Sequence, residues 1–222
     1  MIRGVLFDLD GTLLDTEPDF THVLNAMLAK HGREKVDGAL VRKFVSAGAM
    51  SVVRQGFSLP ENDPLVQELL QDFLERYSQQ IPQTQAGLFT DIDLVLSTLN
   101  AHGIPWGIMT NKARRFSEPL LKRFESFASC ATLVCPDDVG KGKPDPAGLL
   151  LACKQMGLPP EDVLYVGDHP RDIEAAQKAG MPGVAIEWGY LPDDIHISEW
   201  GAHFVADTPQ ALLDHVERNR NR

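Results

Sequence analysis

Apolar residues follow three different patterns along this chain. Ile2 to Leu9 is a short apolar run containing Val and Phe, the pattern of a buried strand. From about Thr16 to Ile81 the spacing becomes helical. Phe20, Val23, Leu24, Met27 and Leu28 recur on one helix face, and Leu65, Leu69, Leu70, Phe73 and Leu74 repeat the pattern. Gly32, Gly38, Pro60 and Pro64 punctuate this region. It reads as a small lobe of three or four helices without a convincing strand.

Beyond about Gln83, short apolar runs alternate with helical stretches. The expected order begins with a helix over 91–101, ended by Gly103, and a strand over 105–109. A helix over 114–124 and a strand over 132–135 follow, then a loop rich in Gly, Pro and Asp. Next comes a helix over 146–156, with Asp145 as N-cap and Pro146 opening it. A strand over 163–166 leads to a helix that Gly180 stops. Strands over 183–186 and 203–206, a helix over 209–218 and a fraying polar tail over 219–222 close the series. Alternation of this kind implies an α/β fold, a parallel sheet covered on both faces. Residues 1–15 and 83–222 form that core, and the helical lobe, residues 16–82, is inserted where strand one ends.

Composition narrows the function. Hydrophobic residues make up 43% and charged residues 23% of 222, ordinary for a globular protein. The formal net charge of -10 argues against a nucleic-acid partner. It also means that an anionic substrate needs local positive charge: a metal ion, a placed Lys or helix N-termini. No apolar stretch approaches the ~20 residues of a membrane span, so neither a membrane partner nor a secretory signal is expected. Cys130, Cys135 and Cys153 lack the close spacing of a zinc site and read as free thiols in a reducing cytoplasm.

The chemistry gathers at strand ends. The first strand runs into Asp8, Leu9 and Asp10, another into Thr110, Asn111 and Lys112, and a third into Gly167 and Asp168. Carboxyl ends of parallel strands share one edge, and ligands bind in the crevice outside it. Lys143 joins the set from a neighbouring loop. Clustered carboxylates repel one another unless a cation sits among them, and Mg2+ suits oxygen ligands and phosphate. Thr110 and the loop amides can donate to phosphate oxygens, while Lys143 adds a point charge. Asp8 and Asp10 lie two residues apart, so an extended strand directs both the same way. A carboxylate can attack phosphorus, and a second can protonate the leaving oxygen and later activate water. Lys112 reads as solvated, because Lys143 already fills the cationic role. His169 reads as a solvated or capping residue.

At this point the chain resembles the haloacid dehalogenase superfamily of phosphohydrolases. Asp8-Leu9-Asp10-Gly11-Thr12 is similar to its first motif, Thr110-Asn111 to the second, Lys143-Pro144-Asp145-Pro146 to the third, and Gly167-Asp168 with Asp172 to the fourth. The resemblance implies a Rossmann-like core with an inserted helical cap like that of the phosphoglycolate phosphatase-like group. It implies Asp8 as nucleophile, Asp10 as general acid/base, and Thr110 and Lys143 at the phosphoryl group. Asp8, Asp10 (through its backbone carbonyl), Asp168 and Asp172 would be the Mg2+ ligands. Asn111, Gly11 and Arg115 are further candidates for contact with substrate or phosphate.

The strings Trp106 to Lys112, Cys135 to Val139 and Trp200-Gly201-Ala202 look like one bacterial branch of the superfamily. It contains phosphoglycolate phosphatases and N-acetylmuramic acid 6-phosphate phosphatases. A small phosphorylated metabolite is therefore the expected substrate, and a monomer or weak homodimer the expected state. Small residues from Ser46 to Ala49 would let backbone approach a ligand. Arg42, Lys43, Arg54 and Arg114 are further charges that could meet a substrate carboxylate. Three alternatives remain: a sugar phosphomutase of the same fold, a 2-haloacid dehalogenase, which Asp10 argues against, and a non-catalytic module binding a phosphorylated ligand or protein.

Overall fold

The computed structural model describes residues 1–220. Strand β1 (Gly4–Phe7) is wholly buried and leads through Asp8 into the short β2 (Leu14–Asp15). Four helices follow: α1 (Glu17–Lys30), α2 (Gly38–Val45), α3 (Ala49–Gly56) and α4 (Leu65–Gln80). Pro18 in the first turn of α1, and the Asp37 carboxylate accepting from the Ala39 amide at 2.7 Å, start the first two helices. The chain returns through β3 (Gly87–Leu88), which pairs antiparallel with β2 in the register Leu14↔Leu88. Neither two-residue strand is visible as periodicity, and together they bracket the four-helix insertion.

The remainder alternates as expected. It comprises α5 (Ile92–Ala101), β4 (Trp106–Met109), α6 (Arg114–Leu121), β5 (Leu133–Val134), α7 (Pro136–Val139) and α8 (Ala147–Met156). After these come β6 (Val163–Gly167), α9 (Pro170–Ala179), β7 (Gly183–Ile186), β8 (Phe204–Ala206) and α10 (Pro209–Arg220). Six strands form a parallel sheet in the order β5-β4-β1-β6-β7-β8. Strand β1 is therefore central, with Val5 opposite Trp106 on one side and Leu164 on the other. The fold is the expected α/β class.

Several details depart from the sequence reading. The stretch after β5 holds a short helix, α7, because the Asp138 carboxylate reaches back to the Cys135 amide at 2.8 Å and caps it. Helix α6 stops at Leu121 rather than near Phe124. Helix α8 starts one residue late, with the Asp145 carboxylate accepting from Ala147 at 3.0 Å. Asn219 and Arg220 continue α10 instead of fraying, and the Asn219 carbonyl accepts from the Ile2 amide at 2.9 Å. The last two residues of the expected tail, Asn221 and Arg222, lie outside the described residues. No helix of the structure is long and apolar enough to cross a membrane.

The insertion shares an apolar core with the sheet. Phe20 of α1 meets Phe73 and Tyr77 of α4, with ring centroids 5.4 and 4.9 Å apart. Tyr77 in turn stands edge-on to Phe116 of α6 at 5.5 Å. This aromatic contact seats α4 over the ends of β1 and β4.

Candidate active site

The parallel order places the carboxyl ends of β4, β1 and β6 side by side, and the acids follow directly from them. Asp8 stands just past β1, and Asp168 just past β6. Asp172 sits in the first turn of α9, where its carboxylate accepts from the His169 amide at 3.0 Å. One carboxylate oxygen from each of Asp8, Asp168 and Asp172 lies within 4.8 Å of the others. The Lys143 ammonium reaches Asp8 Oδ1 at 2.8 Å and Asp172 Oδ1 at 2.7 Å. It also donates to the Tyr165 hydroxyl at 2.8 Å, and that hydroxyl donates to the Met109 carbonyl at 2.9 Å.

Burial sets the electrostatics. Asp168 and Asp172 are fully buried. Burial, then the neighbouring Asp172 and Asp8 charges, push the Asp168 carboxyl up to about 8. Burial raises Asp8 to about 6, although Lys143 pulls it back. Burial alone would push the Lys143 ammonium down, but Asp172 and Asp8 outweigh it and hold it above the ordinary range. The all-oxygen donor set, crowded with more negative charge than Lys143 can balance, fits a hard divalent cation such as Mg2+.

Around Asp168 the packing is close. It accepts from the Thr12 hydroxyl, the Ser46 hydroxyl and the Tyr190 amide, each at 2.9 Å. Ser46 lies between α2 and α3, so the insertion itself touches this acid. Gly11 has φ +85°, and a Cβ there would stand 2.2 Å from Asp168 Oδ2. The structure therefore gives Gly11 a reason beyond the phosphate contact expected for it: only glycine fits against Asp168.

Asp10 and Lys112 form the second part of the site. The Lys112 ammonium contacts Asp10 Oδ1 and Oδ2 at 3.0 and 3.1 Å, and the Thr16 hydroxyl donates to Oδ1 at 2.7 Å. The expectation that Lys112 is solvated is wrong. Its side chain is 5% exposed, and the ammonium lies over the rings of Tyr77 and Phe20 at 4.6 and 5.1 Å. The signal the sequence lacked was the fold of α1 and α4 over β4.

Thr110 is buried, and its hydroxyl accepts from the Lys112 amide at 3.2 Å. The Asn111 side chain is occupied: its oxygen accepts from the Lys143 amide at 2.7 Å and its nitrogen donates to the Lys143 carbonyl at 3.1 Å. Asn111 thus anchors the loop that carries Lys143, a role the sequence reading did not foresee. His169 caps α9, and its Nδ1 accepts from the Arg171 amide at 3.2 Å and from Arg171 Nε at 3.1 Å. Burial, then the Arg171 charge, lower this imidazole to about 4. It therefore stays neutral and can accept.

A cavity of about 400 Å³ opens over these residues. Asp8, Asp10, Thr110 and Lys112 line its floor, and Ser46 to Met50 and the α4 side chains line its roof. Arg115 and Arg171 also line it, and neither forms an ion pair among the described residues. Three other candidate charges are engaged: Arg42 with Asp15 at 2.8 Å, Lys43 with Asp193, and Arg54 with Glu61 at 3.9 Å. Arg114 is held by Asp138. Tyr190 escaped notice in the sequence. Its hydroxyl donates to Asp15 at 2.6 Å and accepts from the Thr16 and Glu17 amides at 2.7 and 2.9 Å, fixing the start of α1.

Residues 5–186 match the profile of the haloacid dehalogenase-like hydrolases. The chain belongs to this family. It is 42% identical over 217 residues to an N-acetylmuramic acid 6-phosphate phosphatase of Pseudomonas aeruginosa, covering 98% of this chain and 96% of that one. It is 40% identical over 214 residues to a phosphoglycolate phosphatase of Xanthomonas campestris pv. campestris, covering 96% and 95%. A haloacid dehalogenase-like family hydrolase of Streptococcus pneumoniae superposes with a TM-score of 0.80 at 22% identity, covering 96% of this chain and 98% of that chain. The last likeness carries the fold alone. Both of these sequence relatives are named as phosphatases.

Proposed function

We propose that this chain is a Mg2+-dependent phosphatase acting on a small, carboxylate-bearing phosphate monoester, with Asp8 as covalent nucleophile. One observation carries the reading. The Asp8 carboxylate opens onto a ligand-sized cavity while Lys143 and two further acids stand directly behind it. Asp8, Asp168 and Asp172 would hold the ion, with the Asp10 carbonyl as a further ligand. Bound there, the ion would neutralise charge on the transferring phosphoryl group. Lys143 adds its positive charge to the same oxygens, and Thr110 donates to them. Asp8 attacks phosphorus, the ester oxygen leaves with a proton from Asp10, and an aspartyl-phosphate forms on Asp8. Asp10 then takes a proton from the water that hydrolyses it.

Lys112 holds both Asp10 carboxylate oxygens, at 3.0 and 3.1 Å, and Asp10 lines the cavity beside Asp8, where this reading needs an acid for the ester oxygen. Asp10→Asn should therefore lower turnover of an alkyl phosphate by about 10²–10⁴-fold. The loss on p-nitrophenyl phosphate should be much smaller, since that leaving group needs no proton. Equal losses on both would count against Asp10 as the acid.

Residues 16–82 act in this reading as a cap that roofs the site, with β2 and β3 as its two crossings. Arg115 and Arg171, without carboxylate partners, suit the carboxylate of the substrate. A two-carbon phospho-acid would leave much of the 400 Å³ cavity to water, whereas a sugar phosphate would fill more of it. We therefore favour N-acetylmuramic acid 6-phosphate over 2-phosphoglycolate. Free Cys130, Cys135 and Cys153 support a cytoplasmic setting.

The deciding assay is phosphate release from both compounds and a panel of sugar phosphates, with Mg2+ and with EDTA. The expected result is preference for N-acetylmuramic acid 6-phosphate, loss in EDTA and recovery on adding Mg2+. No release from any ester with Mg2+ present would end the proposal.

A further inference from the structure

Tyr77 of α4 is packed among aromatic rings and is 1% exposed. Its hydroxyl is nevertheless unpaired. Among the described residues it is the one buried side-chain polar atom without a hydrogen-bond partner. Leaving such a donor unmatched is costly, so Phe would serve the fold better here. Tyr77 also lines the cavity, beside Asp10 and Lys112. Burial pushes its phenol up to about 12, so at neutral pH it keeps its proton and can donate.

Lys112 lies against this residue. An ammonium carries three N–H groups, and two are taken by Asp10 Oδ1 and Oδ2 at 3.0 and 3.1 Å. The ammonium stands 4.6 Å from the Tyr77 ring centroid. Tyr77 thus lines the cavity wall beside Lys112 and the acid that addresses the ester oxygen in this reading, and its buried hydroxyl proton has no protein acceptor.

We infer that the Tyr77 hydroxyl, backed by the Lys112 ammonium, donates to an acceptor oxygen on the alcohol part of the substrate, close to its ester oxygen. This rests on the phosphatase reading above and narrows it. Tyr77 is on this account a specificity residue contributed by the insertion, and it engages only when α4 lies over the site.

Tyr77→Phe tests the subsite, since it removes one oxygen and retains the aromatic packing. The measurement is kcat/KM for N-acetylmuramic acid 6-phosphate and 2-phosphoglycolate, each divided by that for phenyl phosphate, whose alcohol carries no second oxygen. The wild type should prefer at least one of the oxygen-bearing esters. The variant should lose about 10- to 100-fold of that preference, the scale of one hydrogen bond to a charged or buried partner. Its Tm should stay level or rise. A ratio within about twofold of wild type, an equal loss on all three esters, or a wild type without preference would overturn the subsite. A wild type that releases phosphate from none of the three would instead overturn the phosphatase reading.

Discussion

Asp8→Asn should lower phosphate release by roughly 10⁴-fold or more, the scale on which loss of a catalytic nucleophile costs an enzyme. The amide matches the carboxylate in shape but cannot attack phosphorus. Stability should move little. The Asp8 carboxyl titrates at about 6 in the folded chain, against 3.8 unperturbed. Between these values the folded state holds a proton that the unfolded state has released, so stability falls as pH rises through the window. Above about pH 6 the ion-free protein carries the whole penalty, on the order of 3 kcal/mol. Asn carries no such penalty, though it forfeits the 2.8 Å contact with Lys143. In EDTA at pH 8 the variant should melt within a few degrees of wild type, or above it. Near wild-type turnover, with deamidation excluded by mass spectrometry, would remove Asp8 from the nucleophile role. A collapse in Tm would assign the lost activity to the fold instead.

How far the sequence could reveal this site follows from how each residue reaches it. Asp8, Thr110 and Asp168 each follow a buried apolar run, and parallel order alone places such ends together. The α/β class was legible for the same reason: four- and five-residue apolar runs alternating with helical spacing allow few other arrangements. Lys112 and Tyr77 are different. Nothing near Lys112 in the sequence says that α1 and α4 will fold over it, and Tyr77 sits at an ordinary core-facing helix position. Their roles come from packing between segments more than thirty residues apart in the chain. The β2–β3 ribbon escaped notice because two residues cannot show a period of two. The place of Asn111 next to Thr110 in sequence points to the phosphoryl group, and only the fold reveals that its amide also binds the backbone of residue 143.

Lys143 places the largest demand on this site, and Lys143→Met should expose it. Among the described residues the ammonium is the one cation that directly bridges Asp8 and Asp172, and its side chain is 1% exposed. Removing one partner of a buried pair typically costs about 3–5 kcal/mol, because the other charge stays behind unmatched. At about 2–4 °C per kcal/mol for a chain of this size, Tm in EDTA should drop by roughly 6–20 °C. The fall should be steeper at pH 8 than at pH 5, since Asp8 and Asp168 titrate at about 6 and about 8 and carry less charge in acid. Mg2+ should recover part of the lost Tm, because an ion among the same carboxylates screens the repulsion that Lys143 had relieved. Activity should not return with it. In the proposed mechanism the ammonium, tied to Tyr165 and Met109, would meet the phosphoryl oxygens from their side, and an ion held by Asp168 and Asp172 would not replace that charge. Lys143→Arg should not rescue turnover either, since a planar guanidinium does not fit a space shaped for a point charge with three short contacts. An unchanged Tm in EDTA would show that the carboxylates are neutralised some other way. Activity restored by Mg2+ alone would take Lys143 out of the chemistry.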